Sequence, residues 1–141
     1  QPRPRQRKRQ SELAERARRM SAGAARLIHA FPRVGGVRLS GPRDGRLPGH
    51  VPAVIDGVEG EAVTLLMAAH GVACAPGSAC SAAGKSSPVL EAIGLDAPLT
   101  HSAVLFTLAP ATTDADIDAA AAIFRDVVAR LRARSPAAHR P

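Results

Sequence analysis

The sequence contains no tryptophan, no tyrosine and only three phenylalanines. Any core must therefore be built mainly from Ala, Val, Leu and Ile. Apolar residues still make up 45% of the 141 positions, enough for one domain with a real core. Cysteine is almost as scarce. Cys74 and Cys80 are too few for a disulfide scaffold, and a Cys74–Cys80 bridge, though sterically possible, is not expected in a reduced compartment. No apolar run approaches the roughly 20 residues of a membrane span, so no membrane partner is expected. No charged-then-apolar leader of the secretory type is present. The expected location is cytoplasmic. The chain begins with Gln1 rather than Met and reads as a processed or truncated piece. Lysine occurs twice against 17 arginines, and alanine is abundant. That bias fits a GC-rich coding sequence as well as any function.

What charge there is lies at one end. The net charge of the chain is +7. Residues 1–20 carry Arg3, Arg5, Arg7, Lys8, Arg9, Arg16, Arg18 and Arg19 against Glu12 and Glu15. The folded body is thus nearly neutral. A basic arm can bind phosphates. It can equally be a solvated leader, and the aromatics and Gly-rich loops of single-strand binders are missing here. Nucleic acid is therefore not the expected partner.

Residues 1–10 are rich in Pro, Arg and Gln and read as a basic disordered arm. Ser11 reads as a helix cap, and Leu13, Ala17, Met20, Ala24, Leu27 and Phe31 follow as an amphipathic stripe that Pro32 ends. Short strands are expected at residues 37–39 and 52–58, a helix at 59–69 closed by Gly71, and a buried strand at 72–75. Residues 76–86 form a loop of small residues. Ser87 caps a short helix with Pro88 at its first position, ending at Gly94. A strand follows at 103–108. Thr113 and Asp116 have capping-box spacing before a helix whose stripe is Ile117, Ala121, Phe124, Val128 and Leu131. Residues 135–141 read as a disordered tail, leaving 11–134 as one domain. The pattern predicts an α/β fold, a small few-stranded sheet with packed helices.

Chemistry points to the loop. A thiol attacks best as thiolate from an accessible position. Cys80 sits in Gly77-Ser78-Ala79-Cys80-Ser81, among residues too small to bury its sulfur, with Lys85 near enough in sequence to favour the thiolate. An inert surface cysteine would look the same from this stretch alone. Cys74 lies in an apolar segment and reads as a core thiol. Zinc at Cys74, Cys80, His70 and His101 lacks any close ligand pair such as C-x-x-C. His29, His50 and His139 show no partner pattern and read as bland.

Four ordered blocks resemble the C-terminal small domain of class V aminotransferase-fold cysteine desulfurases. They are Arg46-Leu47-Pro48, then Gly57-Val58-Glu59-Gly60-Glu61-Ala62, then Gly71-Val72-Ala73 through Gly77-Ser78-Ala79-Cys80-Ser81. The fourth runs from Pro88-Val89-Leu90 through Ile93-Gly94-Leu95, His101-Ser102 and Thr112-Thr113 to Ile117-Asp118. The match covers roughly residues 20–133. It implies the C-terminal domain fold of fold-type I pyridoxal-phosphate enzymes, with Cys80 as the catalytic residue. In that family the cofactor acts as electron sink, and the loop cysteine takes sulfur from L-cysteine as a persulfide, releasing alanine. The loop resembles the longer-loop group, whose cysteine carries sulfur to an acceptor such as an iron–sulfur scaffold. The family is homodimeric.

Two departures narrow that expectation. The family's cofactor lysine follows a histidine in a large domain, whereas Lys8 and Lys85 here follow none and lie in no matching segment. This chain by itself is expected to bind no pyridoxal 5'-phosphate, and needs the missing large domain or its equivalent as partner. The family's carboxylate-clamping arginine, in a strand reading I/V-R-F-S-L-G, is replaced by Leu105 in Val104-Leu105-Phe106-Thr107-Leu108-Ala109. Gly49 likewise replaces the Asn that often follows Arg-Leu-Pro. A non-catalytic sulfur-relay or interaction module keeping Cys80 is the runner-up, and a basic nucleic-acid-binding protein the third reading.

Overall fold

Four short strands and five helices make up the fold in the computed structural model, which describes residues 4–77 and 87–134, with the backbone alone for 4–8 and Ala97. Helix α1 spans Pro4–Ala30 and closes through a 3-10 turn, Phe31–Arg33. Strands β1 (Val37–Leu39) and β2 (His50–Ile55) lead to α2 (Gly60–Ala69), β3 (Ala75–Pro76), α3 (Pro88–Ala92), α4 (Ala97–His101), β4 (Ala103–Thr107) and α5 (Asp114–Arg134). The sheet order is β1-β2-β4-β3, and every neighbouring pair is antiparallel. The expected α/β class, a few-stranded sheet with packed helices, is what the chain forms.

The local signals behave as their chemistry dictates. At the start of α5 the Thr113 N–H donates to the Asp116 carboxylate at 2.9 Å, and the Asp116 N–H donates to the Thr113 hydroxyl at 3.1 Å. That is a reciprocal capping box with Asp in place of Glu, and it holds the Asp116 carboxyl below its ordinary pKa. Gly71, at φ +81°, ends α2 in the left-handed region open to glycine.

Several expectations needed correction. The first helix does not begin at Ser11 but runs back to Pro4, because Arg, Gln and Lys are good helix formers and nothing at Ser11 breaks the turn. The strand expected at 72–75 lies at Ala75–Pro76, where it pairs with Leu105 and Val104. The strand expected at 52–58 is shifted back to His50–Ile55, since Gly57 turns the chain at φ +79°. Helix α4 was not foreseen, being too short to show a period.

Alternation along β2 and β4 divides the sheet into two faces. Val51, Ala53, Ile55, Val104 and Phe106 point into the main core. There they meet Ala24, Leu27 and Phe31, then Val63 and Met67 of α2, and Ile117, Phe124, Val127 and Val128 of α5. All three phenylalanines of the sequence meet in this core. Phe124 lies 5.3 Å from Phe106, edge to face, and 6.0 Å from Phe31. The other face is only partly covered: Leu90 of α3 packs on Val54 and Ala103, while Pro52 and Leu105 stay half-buried.

Polar contacts tie the ends of elements together. Arg132 of α5 donates to the carbonyls of Val34, Gly35 and Asp56 at 3.0–3.2 Å. Buried Ser102 accepts from the Ile55 N–H at 3.3 Å and donates to the Leu99 carbonyl at 2.8 Å, joining α4 to the end of β2. Arg26 pairs bidentately with Asp118 at 2.6 and 2.7 Å, linking α1 to α5.

Candidate functional site

The bare part of the second sheet face forms the floor of a cleft of about 580 Å³. Leu105 lies at its centre, flanked by its cross-strand partners Pro52 and Ala75. Helix α3 forms the wall with Leu90 and the exposed Val89 and Ile93, whose four-residue spacing puts both on one side of the helix. Pro76 and Pro88 add further apolar surface. Ser40, His50 and Ser87 are the polar side chains of the lining.

Cys80 lies outside the described residues, in the segment 78–86. The two residues that bracket this segment, Gly77 and Ser87, both line the cleft. Each is held firmly. The Gly77 N–H donates to the Ala103 carbonyl at 2.8 Å. A Cβ on Gly77 would stand 2.4 Å from the Ala103 Cβ, so only glycine lets the chain pass β4 so closely. Ser87 is buried and caps α3 by accepting from the Leu90 N–H at 3.5 Å. The two described residues that flank 78–86 in sequence thus line one cleft.

Cys74 differs in kind. It packs against the main core, and burial pushes its thiol up from an ordinary 9.0 to about 11. The thiolate is the reactive species, so Cys74 is a poor nucleophile near neutral pH. Two results are expected. At pH 8, iodoacetamide should modify Cys74 slowly in the folded chain and quickly in denaturant; equal rates would contradict its burial. A thiol whose folded pKa is raised stabilises the fold fully below the unfolded pKa and loses that contribution as pH rises through the folded one. Stability should therefore fall between about pH 9 and pH 11, and urea midpoints across that window should flatten in Cys74→Ala.

Among the described residues no group of three or more His, Cys, Asp or Glu is arranged to hold a metal ion. The described lining of the cleft offers no lysine amine for an imine and no acid for a pyridine nitrogen. These residues therefore do not fit pyridoxal phosphate. Leu105, at the position where an arginine was expected by resemblance, presents an aliphatic side chain to the cleft. A second cleft of about 500 Å³, between the start of α2 and α4, carries Glu59 and His101 but neither residue that brackets Cys80.

Sequence reasoning missed the participation of His50, Ser40, Val89 and Ile93. A signal existed for His50: it alternates with buried Val51 and so shares a face with Pro52.

No family model matches the chain. It is 36% identical over 126 residues to the cysteine desulfurase IscS of Aeromonas salmonicida, covering 89% of the chain and 31% of that protein. It is 39% identical over 112 residues to IscS of Vibrio cholerae, covering 79% and 27%. A cysteine desulfurase of Gluconacetobacter diazotrophicus is 34% identical over 105 residues, covering 74% and 26%. In fold, the chain superposes on a NifS-like protein with TM-score 0.73 at 19% identity, over 86% of the chain and 30% of that structure. A NifS-like protein from Rickettsia africae gives TM-score 0.56 at 17% identity, over 74% and 28%. The chain thus spans about a third, or less, of the length of these relatives.

Proposed function

We propose, for a chain related to the cysteine desulfurases along 89% of its own length, that it is the sulfur-accepting small domain of such an enzyme and that Cys80 is the acceptor. The observation that carries this reading is the position of the segment's two ends. Gly77 and Ser87 stand on the rim of the same cleft whose floor is Leu105. Cys80 lies three residues from Gly77 and seven from Ser87 in sequence, so both attachments of its segment are at this cleft.

The step assigned to this chain is limited. The Cys80 thiolate bonds to the donor's sulfur and holds it as a persulfide, while the donor's own bond to that sulfur breaks and the donor keeps the electron pair. Cleavage of the carbon–sulfur bond of L-cysteine, with release of alanine, requires pyridoxal phosphate, and the described cleft residues do not supply its attachments. In this reading those groups, and the homodimer contacts, come from the rest of the protein. The persulfide then passes to an acceptor protein such as an iron–sulfur scaffold. Cys74 is not the acceptor in this reading, since burial favours its protonated form.

The test is transfer of labelled sulfur. The chain is mixed with a catalytically active cysteine desulfurase and ³⁵S-labelled L-cysteine, then separated without reductant. Reductant-labile label should appear on the wild-type chain and on Cys74→Ser, and fall to background in Cys80→Ser. Label that persists in Cys80→Ser, or is absent from the wild type, would defeat the assignment.

A further inference from the structure

The cleft beside Gly77 and Ser87 carries almost no charge. Among the described residues its lining holds no Arg, Lys, Asp or Glu, and His50 is its one titratable side chain. Charged residues make up 22% of the chain, so their absence is local to the cleft. Arg46 donates its Nη2 to the Ser40 carbonyl at 2.8 Å but does not itself line the cleft. Val89 and Ile93, on the α3 wall, are 70% and 52% exposed. Large aliphatic side chains left in water beside an aliphatic floor gain free energy when an apolar body covers them.

The polar side chains of the lining are few, and two of them are committed or covered. The Ser87 hydroxyl accepts from the Leu90 N–H in the cap of α3, and Ser40 is buried. His50 and Pro52 share one face of β2, two residues apart, and Pro52 pairs with Leu105. His50 is thus a diagonal neighbour of Leu105, about 7–8 Å away at the backbone. An imidazole so placed meets the end of a short aliphatic body lying on Leu105. A carboxylate on Leu105 would instead leave water with no cation to meet it, which is costly. A neutral group carries no such penalty.

We propose that the cleft binds a neutral aliphatic molecule with one hydrogen-bonding group near His50, and that Leu105 sets its preference against a carboxylate. This rests on the reading that the cleft serves Cys80, and it narrows the donor: the part of it that lies on Leu105 is uncharged. An apolar pocket with a few polar groups is the usual form of a small-molecule site.

The experiment is a titration of the ¹⁵N-labelled chain with methyl butanoate at pH 8, followed by backbone amide resonances. Sodium butyrate at the same ionic strength presents the same propyl group with a charge. Saturable shifts are expected at His50, Ala75, Ile93 and Leu105 with the ester, and butyrate should bind at least about tenfold more weakly. Leu105→Arg should reverse that order, tightening butyrate and weakening the ester. A charge on the half-buried floor also loads the sheet, so the second variant is Val89→Ser with Ile93→Ser. Both side chains are exposed, so the fold is kept, and ester binding should weaken severalfold. Equal binding of the two probes, or shifts that do not saturate, would overturn the proposal. So would a folded Leu105→Arg chain that keeps the wild-type order, or a double variant that binds the ester as the wild type does. Ester binding without sulfur transfer to Cys80 would sink the sulfur-acceptor reading and spare this inference. Transfer without ester binding would sink this inference alone.

Discussion

Phe124→Ala should lower stability by about 3–5 kcal/mol, the range for emptying a large buried aromatic site. Phe124 is 1% exposed and touches both other phenylalanines of the sequence. With no tryptophan or tyrosine elsewhere, little bulky side chain remains to collapse into the space. The same core is made largely of Val51, Val63, Val104, Val127 and Val128, whose short, branched side chains have few ways to refill it. Domains of this size are stable by roughly 5–15 kcal/mol, so a substantial part of the total is at stake. Urea unfolding followed by far-UV circular dichroism measures it. A change under about 1 kcal/mol would mean that the three rings do not form the centre of the core. Phe124→Leu keeps most of the volume and should lose much less.

Gly60→Ala should destabilise by about 1–3 kcal/mol, towards the upper end, because the obstacle is backbone. A Cβ at Gly60 would stand 2.4 Å from the Ala103 carbonyl oxygen and 3.1 Å from that of His101. Helix α2 therefore lies against β4 at a distance that only glycine permits, and a methyl group must push one of them aside. Gly77 meets the same residue from the other side, but its obstacle is the Ala103 Cβ at 2.4 Å. The two glycines thus make opposite predictions for one second-site change. Ala103→Gly should restore much of the stability lost in Gly77→Ala and little of that lost in Gly60→Ala. Thermal melts of the two double variants decide it. Equal rescue of both, or of neither, would show that the obstacles differ from those described.

The same glycines mark how far the residues could be read in advance. The run Gly57 through Ala62 was legible as a helix start, since an acid in the first turn and a following apolar period are local signals. Why position 60 must be glycine was not legible, because its reason lies 43 residues away at Ala103. Helix α1 gives a second case. Its stripe from Leu13 to Phe31 is correctly spaced, yet Ala24, Leu27 and Phe31 are buried while Leu13 is 68% exposed. Periodicity states which face is apolar, not how much of it this chain covers. At the cleft, Leu105 was legible as part of a strand, but its place in one lining with Gly77 was not. It depends on β3 and β4 pairing antiparallel at Ala75 and Leu105, which sets Gly77 beside Ala103.

By itself, then, the sequence determined what short-range chemistry controls. The capping box at Thr113 and Asp116, the Gly71 stop, the stripe of α5 and the α/β class all depend on neighbours within a few positions. Tertiary structure alone decided which sheet face was left open and what meets there. Strand pairing turns Val51, Ala53 and Ile55 inward and leaves His50, Pro52 and Leu105 on the cleft side. Ser40 joins them from a loop that the sequence marks only as rich in Gly, Pro and Arg. A face is a property of paired strands, and no single strand contains the information that selects its partner.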